Sequence, residues 1–173
     1  TIPEGVISIG MYAFARCSAL TSITIPNSVI SIGDWAFAHC SALTSFTIPD
    51  SVTAIGDGIF CGCRSLASVT IPGSVTCICK DAFARCSALT SITIPDSVTT
   101  IGDRAFGDCR SLTSVTIPDS VTSLSDGAFS GCTGLSSVFF AGEVPVKEKF
   151  NPPKKRLGEP NPNYLRRVAS AEE

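Results

Sequence analysis

The residues of this chain best suited to chemistry are its nine cysteines. Cys61, Cys63, Cys77 and Cys79 spell two Cys-x-Cys pairs, and four thiolates are a ligand set for structural zinc. Their placement argues against that use. Six cysteines fall at 17, 40, 63, 86, 109 and 132, a constant interval of 23, so Cys63 belongs to a column. A free thiol in such a column serves as a small buried apolar group. Neighbouring thiols there come close, but parallel inward side chains suit the torsion of a disulfide poorly. Cys61 and Cys63 also lie on a different segment of the period from Cys77 and Cys79. No metal site is therefore assigned.

Two aspartate columns raise the question of calcium: Asp50, Asp96 and Asp119 in one, and Asp34, Asp57, Asp103 and Asp126 in the other. Calcium needs several oxygens converging on one point, whereas each of these carboxylates already has a turn or a helix start to serve. His39, the only histidine, shares a column with Arg16, Gly62, Arg85, Asp108 and Gly131, which reads as surface. A base with neither an orienting partner nor a nucleophile in reach is not a catalytic site. The glycines are spread along the repeat, so there is no phosphate loop. No catalytic residue, no cofactor and no enzyme activity are expected.

The element that positions all of these is a 23-residue unit. Phenylalanine recurs at 14, 37, 60, 83, 106 and 129, proline at 3, 26, 49, 72, 95 and 118, and leucine at 20, 43, 66, 89, 112 and 135. A fixed period of this length means one supersecondary unit stacked on copies of itself. Within a unit, Ser22-Ile23-Thr24-Ile25 alternates polar and apolar as a half-buried strand does. Pro26 ends it, and Pro-Asn-Ser or Pro-Asp-Ser makes a turn in which the Asn or Asp side chain bonds nearby backbone. Val29-x-x-Ile32 is a second extended piece, closed by Gly33, a position that calls for positive φ or close backbone approach. Asp34 then caps a short helical turn with Phe37 and Cys40 inward. About eight inward residues per unit, each worth roughly 1.5–3 kcal/mol when fully buried, are enclosed only when units stack.

This pattern, Leu-x-x-Ile-x-Ile-Pro-x-Ser-Val-x-x-Ile-Gly-x-x-Ala-Phe-x-x-Cys, resembles the BspA-like leucine-rich repeat from Ile2 to about Leu135. The resemblance implies a right-handed α/β solenoid, β-rich, with a parallel sheet on its concave face and short helical turns outside. It also implies a cell-surface or secreted protein used in adhesion or host-protein binding. Departures are local: Cys79 and Ser125 replace the glycine, and Gly73 replaces the turn acid.

Residues 1–146 are read as this solenoid, six repeats and a degenerate terminal rung, cut within a repeat at its N-terminus. Residues 147–173 are read as a basic, proline-rich, flexible tail. The repeats carry six Lys/Arg against eleven Asp/Glu, and the tail seven against four. An acidic repeat body excludes nucleic acid as its partner, and no apolar run reaches the length of a membrane span.

Two surfaces remain. One is the outer face of the Ser-x-Thr strands, with Thr24, Thr47, Thr70, Thr93 and Thr116 in file. It reads either as soluble filler or as a broad docking surface. The other is an aromatic cluster, Tyr12 and Trp35 in one column with Arg16 and His39 four residues on. Exposed aromatics beside Arg suit an interface hot spot, and contact with a preceding rung is the competing account. The expected function is non-catalytic protein binding, with a host or extracellular-matrix type of partner and the chain a monomer. The alternatives are a structural spacer serving segments outside this sequence, and an ice- or glycan-binding Ser/Thr array.

Overall fold

The computed structural model describes residues 2–141 and the backbone of one further strand, Leu165–Val168. The chain winds as a right-handed β-solenoid of about six turns. Two series of short strands alternate along it. The Ser-x-Thr series contributes β3 (Ser45–Thr47), β5 (Ser68–Thr70), β8 (Ser114–Ile117) and β10 (Ser137–Ala141). The Val-x-x-Ile series contributes β1 (Ser8–Ile9), β2 (Ser31–Ile32), β4 (Ala54–Ile55), β6 (Cys77–Ile78), β7 (Thr100–Ile101) and β9 (Ser123–Leu124). All pairing is parallel. Ser45 faces Ser68, and Ala54, Cys77, Thr100 and Ser123 line up across β4, β6, β7 and β9. Register is thus the sequence period itself. β11 (Leu165–Val168) pairs with the far edge of β10, and the rest of the segment read as a flexible tail lies outside the described residues.

The core is a file of identical residues. Phe14, Phe37, Phe60, Phe83, Phe106 and Phe129 stack with ring centroids 5.2–5.9 Å apart and planes within 13° of one another. That spacing follows the rise of about 4.8 Å between paired strands. Phe46, where other rungs carry Ile or Val, meets Phe37 and Phe60 edge-on. The cysteine column is polar as well as apolar. Cys40, Cys63, Cys86, Cys109 and Cys132 each donate S–H to the carbonyl of the phenylalanine in the preceding rung, at 2.9–3.2 Å. A thiol is a weak donor, but it fills a small site and gives that carbonyl a second partner.

The helical turns expected on the outer side are absent: the described residues contain no helix. In Gly10–Cys17 alternate amides turn two ways. Ala13, Ala15 and Cys17 donate within the rung to Gly10, Tyr12 and Phe14, while Tyr12, Phe14 and Arg16 donate to Asp34, Ala36 and Ala38 of the next rung. An α-helix keeps every amide inside its own segment, so a solenoid that must tie rung to rung on this side cannot use one. The alternation requires left-handed backbone at two positions per rung. Tyr12, Arg16, Trp35, His39, Asp81, Arg85, Arg104 and Asp108 all have φ between 51° and 63°. Each costs roughly 1–2 kcal/mol locally, offset by the inter-rung bonds.

Two smaller expectations change with this. Asp34 caps no helix; its Oδ1 accepts from the amide of Asp57, and Asp57 Oδ1 accepts from that of Lys80. In the proline turns the acid makes no hydrogen bond among the described residues. The following serine does the work: Ser74, Ser97 and Ser120 donate to Val52, Val75 and Val98 one rung back, at 2.6–2.7 Å. Of the two reasons offered for the glycine after the second strand, close approach is the one that applies. A Cβ on Gly33 would lie 2.5 Å from the amide nitrogen of Met11.

Candidate functional site

The turn side of the first rungs carries the aromatic cluster. Tyr12 and Met11 are about three-fifths exposed, as are Ile7 and Ile30, each one residue ahead of a strand of the second series. Trp35 is half-buried because its indole lies over the next rung, where a Cβ on Gly58 would sit 2.4 Å from the ring. His39 is exposed and lies over Gly62 in the same way, its Nδ1 2.4 Å from a Cβ placed there. Its imidazole takes part in no hydrogen bond among the described residues, so nothing orients it as a base. Arg16 is exposed and without an ion pair among the described residues. The glycines in these two columns were the sequence signal for left-handed backbone and for a slot that receives a large neighbour.

Thr24, Thr47, Thr70, Thr93 and Thr116 are all exposed. Their hydroxyls, and those of Ser45, Ser68 and Ser114 beside them, bond to nothing else among the described residues. The neighbouring columns differ. Thr44, Thr76, Thr99, Thr122 and Ser136 each donate to a carbonyl one rung back. The hydroxyls just ahead of the strands in both series are thus spent on the fold, whereas those of the Ser-x-Thr positions themselves are left uncommitted.

The thiols split into two kinds. Burial pushes Cys40 up to about 11 and Cys63 up to about 12, and Cys86, wholly buried, is raised as well. These are poor nucleophiles and poor ligands at neutral pH. Cys77 and Cys79 are only half-buried, with their sulfurs 3.1 Å apart, and burial together with the contact to Cys77 pushes Cys79 up to about 12 as well. Cys61 and Cys63 are buried, and no group of three or more His, Cys, Asp or Glu gathers around one point among the described residues.

Further along, the turn side becomes charged. Arg104 donates to Asp81 one rung back at 3.3 Å and to Asp108 on its own rung at 3.0 Å. Sequence reading passed over this network, although the residues stand 23 and 4 apart. It also missed that Arg64, Arg85 and Arg110 come together.

A BspA-type leucine-rich repeat model matches the chain in six copies, over residues 1–109 and 53–149. A leucine-rich repeat protein of Bacteroides ovatus is similar over 81% of this chain and 48% of its own, at 28% identity and a TM-score of 0.62. A leucine-rich cell surface protein of Faecalibacterium prausnitzii matches 82% of this chain and 31% of its own, at 35% identity and a TM-score of 0.55. A leucine-rich repeat protein of T. pallidum matches 79% and 54%, at 29% identity and 0.56. The chain therefore spans about half or less of these proteins. A search of curated proteins finds no match. With the six-copy match running through every rung, the chain belongs to the BspA-type leucine-rich repeat family.

Proposed function

We propose that this chain is a non-catalytic, protein-binding repeat module that works as a monomer in recognition or adhesion at a cell surface. The observation that carries the reading is the file of exposed threonines from Thr24 to Thr116, whose hydroxyls the fold leaves uncommitted while it ties down those of the adjoining columns. Hydroxyls already ordered by a rigid strand lose little entropy on meeting a partner. Tyr12, Trp35, Arg16 and His39 form a second contact area. Ile7 and Ile30, bonded to each other through the backbone of successive rungs, are exposed as well, and a rung stacked ahead of the first would not cover Ile30, one rung further in. That favours an interface over a mere stacking contact. The surface setting rests on likeness to the Faecalibacterium prausnitzii cell surface protein. No helix among the described residues is long and apolar enough to cross a membrane.

The test is saturable binding to a panel of extracellular-matrix proteins by biolayer interferometry. Thr47→Lys with Thr70→Lys should abolish capture, and Trp35→Ala should weaken it, with circular dichroism unchanged in both. Absence of saturable binding across the panel would favour the spacer.

A further inference from the structure

Three of the six cationic residues in residues 2–141 meet at one place. Arg64, Arg85 and Arg110, with Ser87 and Asp108, line a depression of about 450 Å³. The repeat explains its shape. Arg64, Ser87 and Arg110 hold one repeat position in three successive rungs, and Arg85 stands two residues before Ser87. With rungs about 4.8 Å apart, the backbones of Arg64 and Arg110 are separated by about 10 Å. Two long side chains therefore flank a notch with a small hydroxyl residue between them.

The charges there are not balanced from within. Asp108 accepts from Arg104 at 3.0 Å and lies 4.0 Å from Arg110, and Arg104 is shared with Asp81 at 3.3 Å. Arg64 and Arg85 have no ion pair among the described residues. Four guanidiniums thus face two carboxylates, a surplus of two positive charges in a body that carries six Lys/Arg against ten Asp/Glu over residues 2–141. The fold does not demand these arginines. Ser18, Ser41 and Thr133 fill the position of Arg64 and Arg110 in other rungs, and Gly62 and Gly131 fill that of Arg85.

We propose that this notch binds a phosphomonoester, carried on a small ligand of sugar or polyol size. The planar forks of arginine match tetrahedral oxyanions in a way that lysine does not. A phosphomonoester carries about −1.5 to −2 charges near neutral pH, which matches the local surplus, whereas a carboxylate leaves one guanidinium unmatched. The depression exceeds what a bare phosphate fills, leaving room for the organic part. Ser87, whose hydroxyl now makes a long 3.3 Å bond to the carbonyl of Arg64, can turn to donate to the ester. The acidic surroundings repel an extended polyanion, and no aromatic residue lines the notch for a base to stack on, so neither nucleic acid nor a nucleotide fits.

The experiment is calorimetric titration of the whole chain at low ionic strength with glucose 6-phosphate, glycerol phosphate, inorganic phosphate and acetate. One-to-one saturation is expected, with the esters binding more tightly than inorganic phosphate and acetate weakest, all weakening as salt rises. Arg85→Gln and Arg64→Gln should each weaken ester binding about tenfold, the loss of one charge-assisted contact. Arg16→Gln, in the same column as Arg85 but three rungs away, should leave it unchanged. Unaltered binding in Arg85→Gln, or no preference for the esters over acetate, would sink the proposal. Parity between inorganic phosphate and both esters would assign the notch to the free ion and overturn the ester. Because Arg64→Gln and Arg85→Gln change no core residue, no threonine of the Ser-x-Thr face and no residue of the Tyr12–Trp35 cluster, capture of a protein partner by these two variants is an independent readout.

Discussion

The turn side of this solenoid solves one backbone problem in two chemistries. Around Trp35 and His39 the left-handed positions carry large rings, and the rung that follows answers with Gly58 and Gly62, over which the rings lie. Around Asp81, Arg104 and Asp108 the same positions carry charges, and the rungs answer one another with ion pairs instead of vacated space. Backbone geometry is the same in both, with φ of 58° at Trp35 and 54° at Asp81. The column is thus free to vary as long as each occupant suits its neighbour one rung away. Such a surface can change its chemistry along its length without change to the interior.

The largest effect should come from the interior that both regions share. Phe83, fully buried between two stacked rings, should cost about 3–5 kcal/mol when changed to alanine. Urea unfolding followed by Trp35 fluorescence and by far-UV circular dichroism should shift together. Curves that separate would show that the two regions melt as independent rungs, as nearest-neighbour stacking permits.

Alkali should act on both regions alike, through the thiols. In the unfolded chain these thiols lose their protons near pH 9, whereas in the folded chain Cys40 holds its proton to about 11 and Cys63 to about 12. The folded form therefore binds more protons above pH 9. Its stability is whole below that value and falls as pH climbs towards 12, by a few kcal/mol in all. Urea midpoints measured across pH 8–11 check this, and Cys63→Ala should flatten the decline. A midpoint that rises with pH would contradict the burial of the thiols.

Smaller changes tell the regions apart. Gly58→Ala places a Cβ against the Trp35 ring at a position with φ of +59°, and should cost about 1–2 kcal/mol. Trp35 emission should move to longer wavelength as the indole lifts into water. One rung on, Asp81→Gly relieves the left-handed backbone but removes an ion pair, so the net change should stay within about 1 kcal/mol. Equal costs for the two substitutions would erase the distinction drawn above. Least of all, Arg104→Gln should lower stability by under about 1 kcal/mol, and by less in high salt, because its side chain is 37% exposed.

Much of this was legible in the chain. The rung spacing, the inward Val, Ile, Leu, Phe and Cys columns and the outward threonines all follow from a period of 23, because stacking repeats each environment as often as the sequence repeats each residue. Local structure on the turn side was not legible. Asp34 followed by Ala-Phe-x-x-Cys reads as a capped helical turn by propensity, and propensity gives way when alternate amides are claimed by another rung. Gly58, Gly62 and Gly131 in those columns were the available sign. The arginine notch escaped for a related reason: Arg64 and Arg110 share a column with three serines and a threonine, so no column looked basic.

By itself, then, the sequence determined how the chain stacks and what lies inside, since a repeated apolar pattern has one way to leave water. Only the tertiary structure decided where individual backbone bonds go and which surface side chains meet. Those outcomes depend on residues a whole turn apart, and a period states that two positions are neighbours without stating what two unlike side chains do when they touch.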